Sequence, residues 1–240
     1  MARLSLRSFF AWQSRPVPQF WLFRVRAEFH EQARGKLRGN LFDRDPTFIG
    51  KFSELFALET GGSAPLLVKR IRAQKEADYV RRYFRCQGKR EFFGSMRLAE
   101  IGINCPEPIG YAVSLMPWSR ADSLFLCRFL PQAIKSTQWM RQGPPTREWV
   151  MNAVARDMGR MLEHNLFHRD VHTENLLVLP AAETVEAALY WIDNDIRPFG
   201  RSRRTLKREQ FLKRWFEVGY LTPEEKAQFA AELPERPAGD

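Results

Sequence analysis

The segment His168-Arg169-Asp170-Val171-His172-Thr173-Glu174-Asn175 places an Asp and an Asn on one loop that leads into the apolar run Leu176-Leu177-Val178-Leu179. A second apolar run, Leu189-Tyr190-Trp191-Ile192, ends in Asp193-Asn194-Asp195. Oxygen-bearing side chains at the mouths of adjacent strands suit phosphoryl transfer. That chemistry needs a carboxylate to orient the attacking hydroxyl and accept its proton, and oxygen ligands to hold Mg²⁺ against nucleotide phosphates. Asp170 can supply the first, Asn175 and Asp193 the second.

The rest of the chain must position these residues. Up to residue 46 aromatic and basic residues mix, with 20–25 a candidate strand and 28–36 a short helix ending near Gly39-Asn40. Strand-like runs follow at 47–49, 53–58 and 66–71, and the turn Gly61-Gly62-Ser63 predicts a hairpin between the last two. Residues 76–100 carry helical periodicity with Phe92, Met96 and Leu98 on one buried face, and Gly102 ends the helix. Pro106-Glu107-Pro108 breaks the chain before a second hairpin, 109–115 with 123–130. After the turn Gln142-Gly143-Pro144-Pro145, Thr146 is expected to cap an amphipathic helix running to about Asn165. Trp149, Val150, Ala153, Val154, Met158 and Met161 form its apolar face. Beyond Phe167 come a polar loop, strands 176–179 and 189–192 about a turn at Pro180-Ala181, a basic helix over 204–218 and a last helix from Thr222. A mostly β half followed by a mostly α half predicts two lobes with a cleft between them. Residues 1–130 are expected to form the β-rich lobe, of which 1–46 is part or an accessory arm, and 131–240 the compact helical lobe.

Composition sets the outer limits. The 240 residues are 44 % hydrophobic and 28 % charged, which suits a folded soluble chain with one large domain or two small lobes. Net charge is +10, so polyanionic partners are expected: nucleic acid, anionic lipid or a phosphorylated sugar. No nucleic-acid-binding motif accompanies the charge, and nucleic acid is not expected. The three cysteines, Cys86, Cys105 and Cys127, lack zinc-ligand spacing and read as reduced thiols. No run approaches the ~20 apolar residues of a membrane-spanning helix. The run Phe9-Phe10-Ala11-Trp12 is shorter than a signal-peptide core. The expected place is cytoplasmic, at most peripheral on the inner membrane.

His168-Arg169-Asp170 with Asn175, followed by strand, turn, strand and Asp193, resembles the protein kinase-like superfamily, whose catalytic loop reads H-R-D-x-x-x-x-N. The resemblance implies an α+β, two-lobed kinase-like fold with a small β-rich N-lobe and a compact helical C-lobe. It implies ATP and Mg²⁺, Asp170 as catalytic base, Asn175 as metal ligand and Asp193 as the principal metal ligand. Leu67-Val68-Lys69 looks like the strand whose lysine contacts the α/β-phosphates, and Glu91 resembles the glutamate that pairs with it. Glu76 and Glu100 are rival partners. Two departures stand out. There is no G-x-G-x-x-G loop, so Gly50 alone would serve the nucleotide-covering turn, and Asp193-Asn194-Asp195 replaces D-F-G. The chain after Asp195 is also too short for an activation segment and a large helical lobe.

Those departures, His172, and the segments Arg90-Glu91-Phe92-Phe93, Gly102-Ile103 and Pro106-Glu107-Pro108-Ile109-Gly110-Tyr111 resemble the lipopolysaccharide core kinases. The likeness covers residues 47–198. It implies an ATP-dependent kinase acting on heptose or Kdo (3-deoxy-manno-octulosonic acid) of the inner core at the cytoplasmic membrane face. The basic run Arg201, Arg203, Arg204, Lys207, Arg208, Lys213 and Arg214 would suit an anionic glycolipid acceptor or membrane. Its ordinary reading is a solvated helix face. Asp170 and Asn175 also favour turns, and Asp195 reads equally as a second metal ligand or a solvated loop residue. The role of Arg169 stays open, and His172 either touches the γ-phosphate or bonds within its loop. The alternatives in function are an atypical protein kinase, a soluble small-molecule kinase, or a kinase-shaped binding protein without catalysis.

Overall fold

Phe9 and Ala11, then Trp21, Phe23 and Val25, recur at every second position, which gives an extended hairpin one apolar face. In the computed structural model these residues are buried on two paired strands, β1 (Leu6–Arg15) and β2 (Val17–Arg26). The structure describes residues 6–15, 17–37, 45–59, 65–181, 186–217 and 221–233. The turns anticipated at Gly39-Asn40 and Gly61-Gly62-Ser63, and Val218, lie outside them.

Two compact units form: Met1–Phe93 with Glu107–Phe129, and Gly94–Pro106 with Leu130–Asp240. The first holds β3 (Phe48–Ile49), β4 (Ser53–Leu58), β5 (Leu66–Arg72), β6 (Pro108–Ser114) and β7 (Ala121–Arg128). With β1 and β2 they make a seven-stranded antiparallel sheet in the order β1-β2-β6-β7-β5-β4-β3. The N-terminal hairpin is thus continuous with the sheet that carries Lys69. Helix α1 (His30–Leu37) packs Ala33 and Leu37 into the same core.

The helical stretch 76–100 is two helices, not one: α2 (Glu76–Arg85) and α3 (Gln87–Glu100). Cys86 is extended between them (φ −68°, ψ 158°). The break has a cause in β7. The Gln87 N–H donates to Asp122 Oδ2 (3.4 Å) and the Gly88 N–H to Ser123 Oγ (3.0 Å), so two buried side chains cap a new helix start. The expected lobe boundary also moves. Residues 94–106 group with the second unit because Leu98 and Ile103 lie in its core. Gly102 ends α3 with φ +73°, a conformation that favours glycine.

The second unit holds β8 (Ile134–Lys135), α4 (Ser136–Met140), α5 (Pro144–Glu163), β9 (Leu166–His168), β10 (Leu176–Leu179), β11 (Ala188–Trp191), β12 (Ile196–Pro198), α6 (Arg204–Glu217) and α7 (Pro223–Glu232). Two small sheets, β11-β10-β8 and β12-β9, are covered by these helices. Thr146 does not cap α5. The helix starts two residues earlier, at Pro144, where proline's fixed φ suits the first turn, and the Thr146 hydroxyl donates to the Gly143 and Trp139 carbonyls. The supposed loop after Phe167 starts with His168 still paired to Ile196.

A methyl group on Gly88 would lie 2.2 Å from the Leu124 carbonyl oxygen, a backbone atom that cannot swing away. Gly88→Ala is therefore expected to lower unfolding stability by about 1–3 kcal/mol, measured by urea titration. An unchanged midpoint would show that α3 is not seated on β7 as described.

Candidate functional site

In the first unit, Lys69 on β5 and Glu91 on α3 meet. Lys69 Nζ donates to Glu91 Oε1 (3.1 Å) and Oε2 (3.2 Å), with side chains 12 % and 1 % exposed. Gln87 Nε2 donates to the same Oε1 (3.2 Å), one turn before Glu91. The rivals Glu76 and Glu100 are exposed. Strand alternation turns Lys69 to the face opposite Arg70 and Arg72, which both bind Glu54. Lys69 is therefore not a solvated strand lysine. Gly50 sits in the β3–β4 turn, where its N–H donates to the Ser53 carbonyl. Its φ is not positive, and an added Cβ would meet only ordinary contacts, so that turn does not need glycine.

In the second unit, Asp170, Asn175, His168 and the Asp193 loop form one network. Asn175 Nδ2 donates to the Asp170 carbonyl (2.9 Å) and to its Oδ2 (3.2 Å). That commits the amide nitrogen and leaves the amide oxygen as the group able to face a cation. His172 Nε2 lies 3.4 Å from Asp170 Oδ2. The bond from His172, with that from Asn175, holds the Asp170 carboxyl down at about 2, and the same contact pushes the His172 imidazole up. Asp170 is therefore ionised at any working pH. It is also exposed.

His168 braces this loop from beneath. The Asp170 N–H donates to its Nδ1 (3.1 Å), so the ring proton sits on Nε2 and points to Asn194 Oδ1 (3.3 Å). Asn194 is fixed in turn, donating to Ser95 Oγ (3.0 Å) on α3 and to the Trp191 carbonyl (3.1 Å). Complete burial pushes the His168 imidazole down to about 4, so it is neutral and cannot act as a proton donor at neutral pH.

Asp193 has φ +56°, a left-handed conformation that costs a non-glycine residue energy and clusters at functional sites. Its charge acts on both His168 and His172, which makes the two loops neighbours. Asp195 is engaged otherwise: Arg197 Nε lies 2.9 Å from its Oδ1 and Arg169 Nη1 donates to its Oδ2 (3.4 Å). Arg169 thus acquires a partner that the sequence did not reveal. Gly94, Ser95 and Asn194 were also missed. A Cβ on Gly94 would sit 1.8 Å from the Asn194 carbonyl oxygen, so this glycine lets α3 lie directly on the Asp193 loop. Among the described residues no three His, Cys, Asp or Glu side chains gather as a self-contained metal cage. A site of one carboxylate and one amide oxygen fits Mg²⁺ of the kind that takes its other ligands from phosphates and water.

No protein-family model and no curated protein sequence matches the chain. Solved structures do. WaaP in complex with acyl carrier protein superposes with a TM-score of 0.56 at 19 % identity, covering 90 % of this chain and 89 % of that one. The Rio2 kinase–ADP/Mg²⁺–phosphoaspartate complex from Chaetomium thermophilum gives 0.52 at 17 % identity, over 88 % of this chain and 66 % of that one. The likeness read from the sequence, to lipopolysaccharide core kinases within the protein kinase-like superfamily, is borne out at the level of the fold. The chain has the α+β architecture of these kinases, a sheet-rich N-terminal part followed by a helical one.

The His168 environment has a pH signature. Its folded-state pKa lies below the unfolded value near 6.5, so its contribution is fully present above that pH and is lost as pH falls toward 4. Between pH 7.5 and 5 the protein should lose roughly 2 kcal/mol of stability through this residue. Thermal melts of wild type and His168→Gln check it: the wild type should fall more steeply below pH 6.5. Parallel curves would contradict the assignment.

Proposed function

We propose that the chain is a kinase that transfers the γ-phosphoryl group of MgATP to a sugar hydroxyl, heptose or Kdo, of the lipopolysaccharide inner core. Two observations carry the kinase reading: in the first unit the buried Glu91 carboxylate is held bidentately on Lys69, and in the second Asn175 and His172 both bond Asp170. The sugar acceptor is supported by the sequence resemblance over residues 47–198 and by the fold likeness to WaaP across nearly the whole chain.

In this reading Lys69 grips nucleotide phosphates, and Glu91 fixes the ammonium in place. Asn175 Oδ1 and the Asp193 carboxylate would hold Mg²⁺, which would supply positive charge to the nucleotide phosphates. The Asp170 carboxylate accepts a hydrogen bond from the acceptor hydroxyl. As that oxygen bonds to the γ-phosphorus, the bond to the β-phosphate oxygen breaks, ADP departs, and the proton passes to Asp170. A carboxyl held near 2 is a weak base. Its service is to orient the alcohol, taking the proton only as the oxygen becomes acidic late in the step. The acceptor stands at the cytoplasmic face of the membrane, and no helix among the described residues is long and apolar enough to cross it.

Asp170→Ala is expected to cut turnover by about 10²–10⁴-fold while leaving ATP binding near wild type. Asp193→Ala should instead abolish Mg²⁺-dependent thermal stabilisation by ATP. An acceptor screen with radiolabelled ATP should label intact lipopolysaccharide, and label core-truncated lipopolysaccharide that lacks the heptose and Kdo residues far less. Label on protein substrates alone would replace the sugar-kinase reading with an atypical protein kinase. Full activity of Asp170→Ala would remove its role.

A further inference from the structure

Helix α2 is turned inside out. Arg82 is its buried side chain, 1 % exposed, while Ala77, Val80, Arg81, Tyr83, Phe84 and Arg85 face solvent. A surface helix ordinarily turns its apolar stripe to the core. Here the stripe is outside: Phe84 is 76 % and Val80 68 % exposed. The orientation is built, not incidental. The Arg82 guanidinium donates to the carbonyls of Met116 (3.3 Å) and Ser119 (2.8 Å), in the loop between β6 and β7, and of Ala121 (3.1 Å), the first residue of β7. Rolling α2 to bury Phe84 would strip those carbonyls of their donor and expose the arginine, at the cost of a buried hydrogen-bonded network.

The loop that Arg82 grips carries Trp118, itself 64 % exposed. The surrounding charge is positive. Arg81, Arg85 and Arg120 are exposed; of the two acidic side chains in the first turn, Glu76 is exposed at the helix start and Asp78 accepts the Gln74 and Lys75 N–H groups as a helix cap. Aromatic and aliphatic side chains standing singly on a convex helix, flanked by guanidinium groups on flexible stems, match the boundary between headgroups and acyl chains better than a shaped protein pocket. The net charge of +10 complements an anionic surface.

The geometry points to α2 and the Trp118 loop as the surface by which this chain docks on an anionic lipid bilayer. Phe84, Val80 and Trp118 enter the headgroup–acyl boundary, and Arg81, Arg85 and Arg120 meet lipid phosphates. The docking surface lies in the first unit, apart in sequence from the basic run 201–214 that first suggested membrane contact. The inference deepens the proposed function, because it gives the chain access to a membrane-borne acceptor, but its test requires no turnover and so stands or falls separately.

The test is flotation of the full-length chain with phosphatidylethanolamine–phosphatidylglycerol vesicles and, in parallel, with phosphatidylcholine vesicles. The wild type should float with the anionic vesicles and not with the neutral ones. The pair Val80→Ser with Phe84→Ser should lower the bound fraction by about tenfold or more, with an unchanged thermal midpoint because neither side chain is packed. Arg81→Gln with Arg85→Gln should lower it by roughly tenfold at low salt. A fluorophore on Phe84→Cys should shift to the blue on adding anionic vesicles. Equal flotation of the apolar double variant and wild type, equal flotation with neutral lipid, or no flotation of the wild type would overturn the proposal. Self-association that the double variant abolishes, without flotation, would assign the face to a second copy of the chain.

Discussion

A carboxylate that is 1 % exposed cannot exist in the first unit without a countercharge, and Glu91 has one in Lys69. Removing either partner would leave an uncompensated buried charge, which costs on the order of 3–5 kcal/mol. That demand fixes where α3 must sit. Asp122 and Ser123 cap its first turn, Gly88 lets it approach the Leu124 carbonyl, and Gln87 holds the Glu91 oxygen. Asp122 accepts this duty at some cost, for burial pushes its carboxyl up from the usual range. Further along the same helix, Gly94 lies on the Asn194 backbone and Ser95 accepts the Asn194 amide. In the first unit α3 holds the Lys69 ammonium through Glu91; in the second its Gly94 and Ser95 hold the loop of Asp193 through Asn194.

The charges of the loop from His168 to Asn175 are sorted by burial. His168, wholly buried, is kept neutral and serves as a hydrogen-bond brace, while Asp170, exposed and bonded by His172 and Asn175, is kept ionised. Trp191 packs against the His168 ring and donates to Asp157, whose carboxyl burial pushes up. Four of the seven basic residues in the run 201–214 are engaged within the fold. Arg208 donates to the Ala230 and Leu233 carbonyls at the end of α7, Lys207 and Arg214 lie over the Phe167 ring, and Arg204 donates to the Glu163 carbonyl. Arginine's planar fork suits such carbonyl capping, which draws its charge inward.

Local patterns carried the parts that are local. The β4–β5 and β6–β7 hairpins, the strands at 176–179 and 188–191, and the Gly102 stop follow from alternation, apolar runs and a residue tolerant of positive φ. That Asp170 and Asn175 share a network with the Asp193 loop was legible, because loop residues of that chemistry stand at fixed spacing before and after strands. The break at Cys86 was not legible, since the side chains that cap α3 come from β7, more than thirty residues on in sequence. The same reason hid Arg169–Asp195 and Gly94–Asn194, contacts between segments far apart in the chain. The inward face of α2 was likewise not legible: it is set by Arg82 finding three carbonyls, a competition that a hydrophobic pattern does not record.

The Glu91 charge fixes the Lys69 ammonium, which in the proposed function meets a triphosphate. Calorimetric titration of wild type and Glu91→Gln with ATP, with and without Mg²⁺, tests this most directly, with adenosine as the phosphate-free control. Wild type should bind ATP in a Mg²⁺-dependent manner. Glu91→Gln should bind it about tenfold more weakly or worse, a loss of at least ~1.4 kcal/mol, with adenosine unaffected. Equal MgATP affinity in the two proteins, or equal losses for ATP and adenosine, would contradict it.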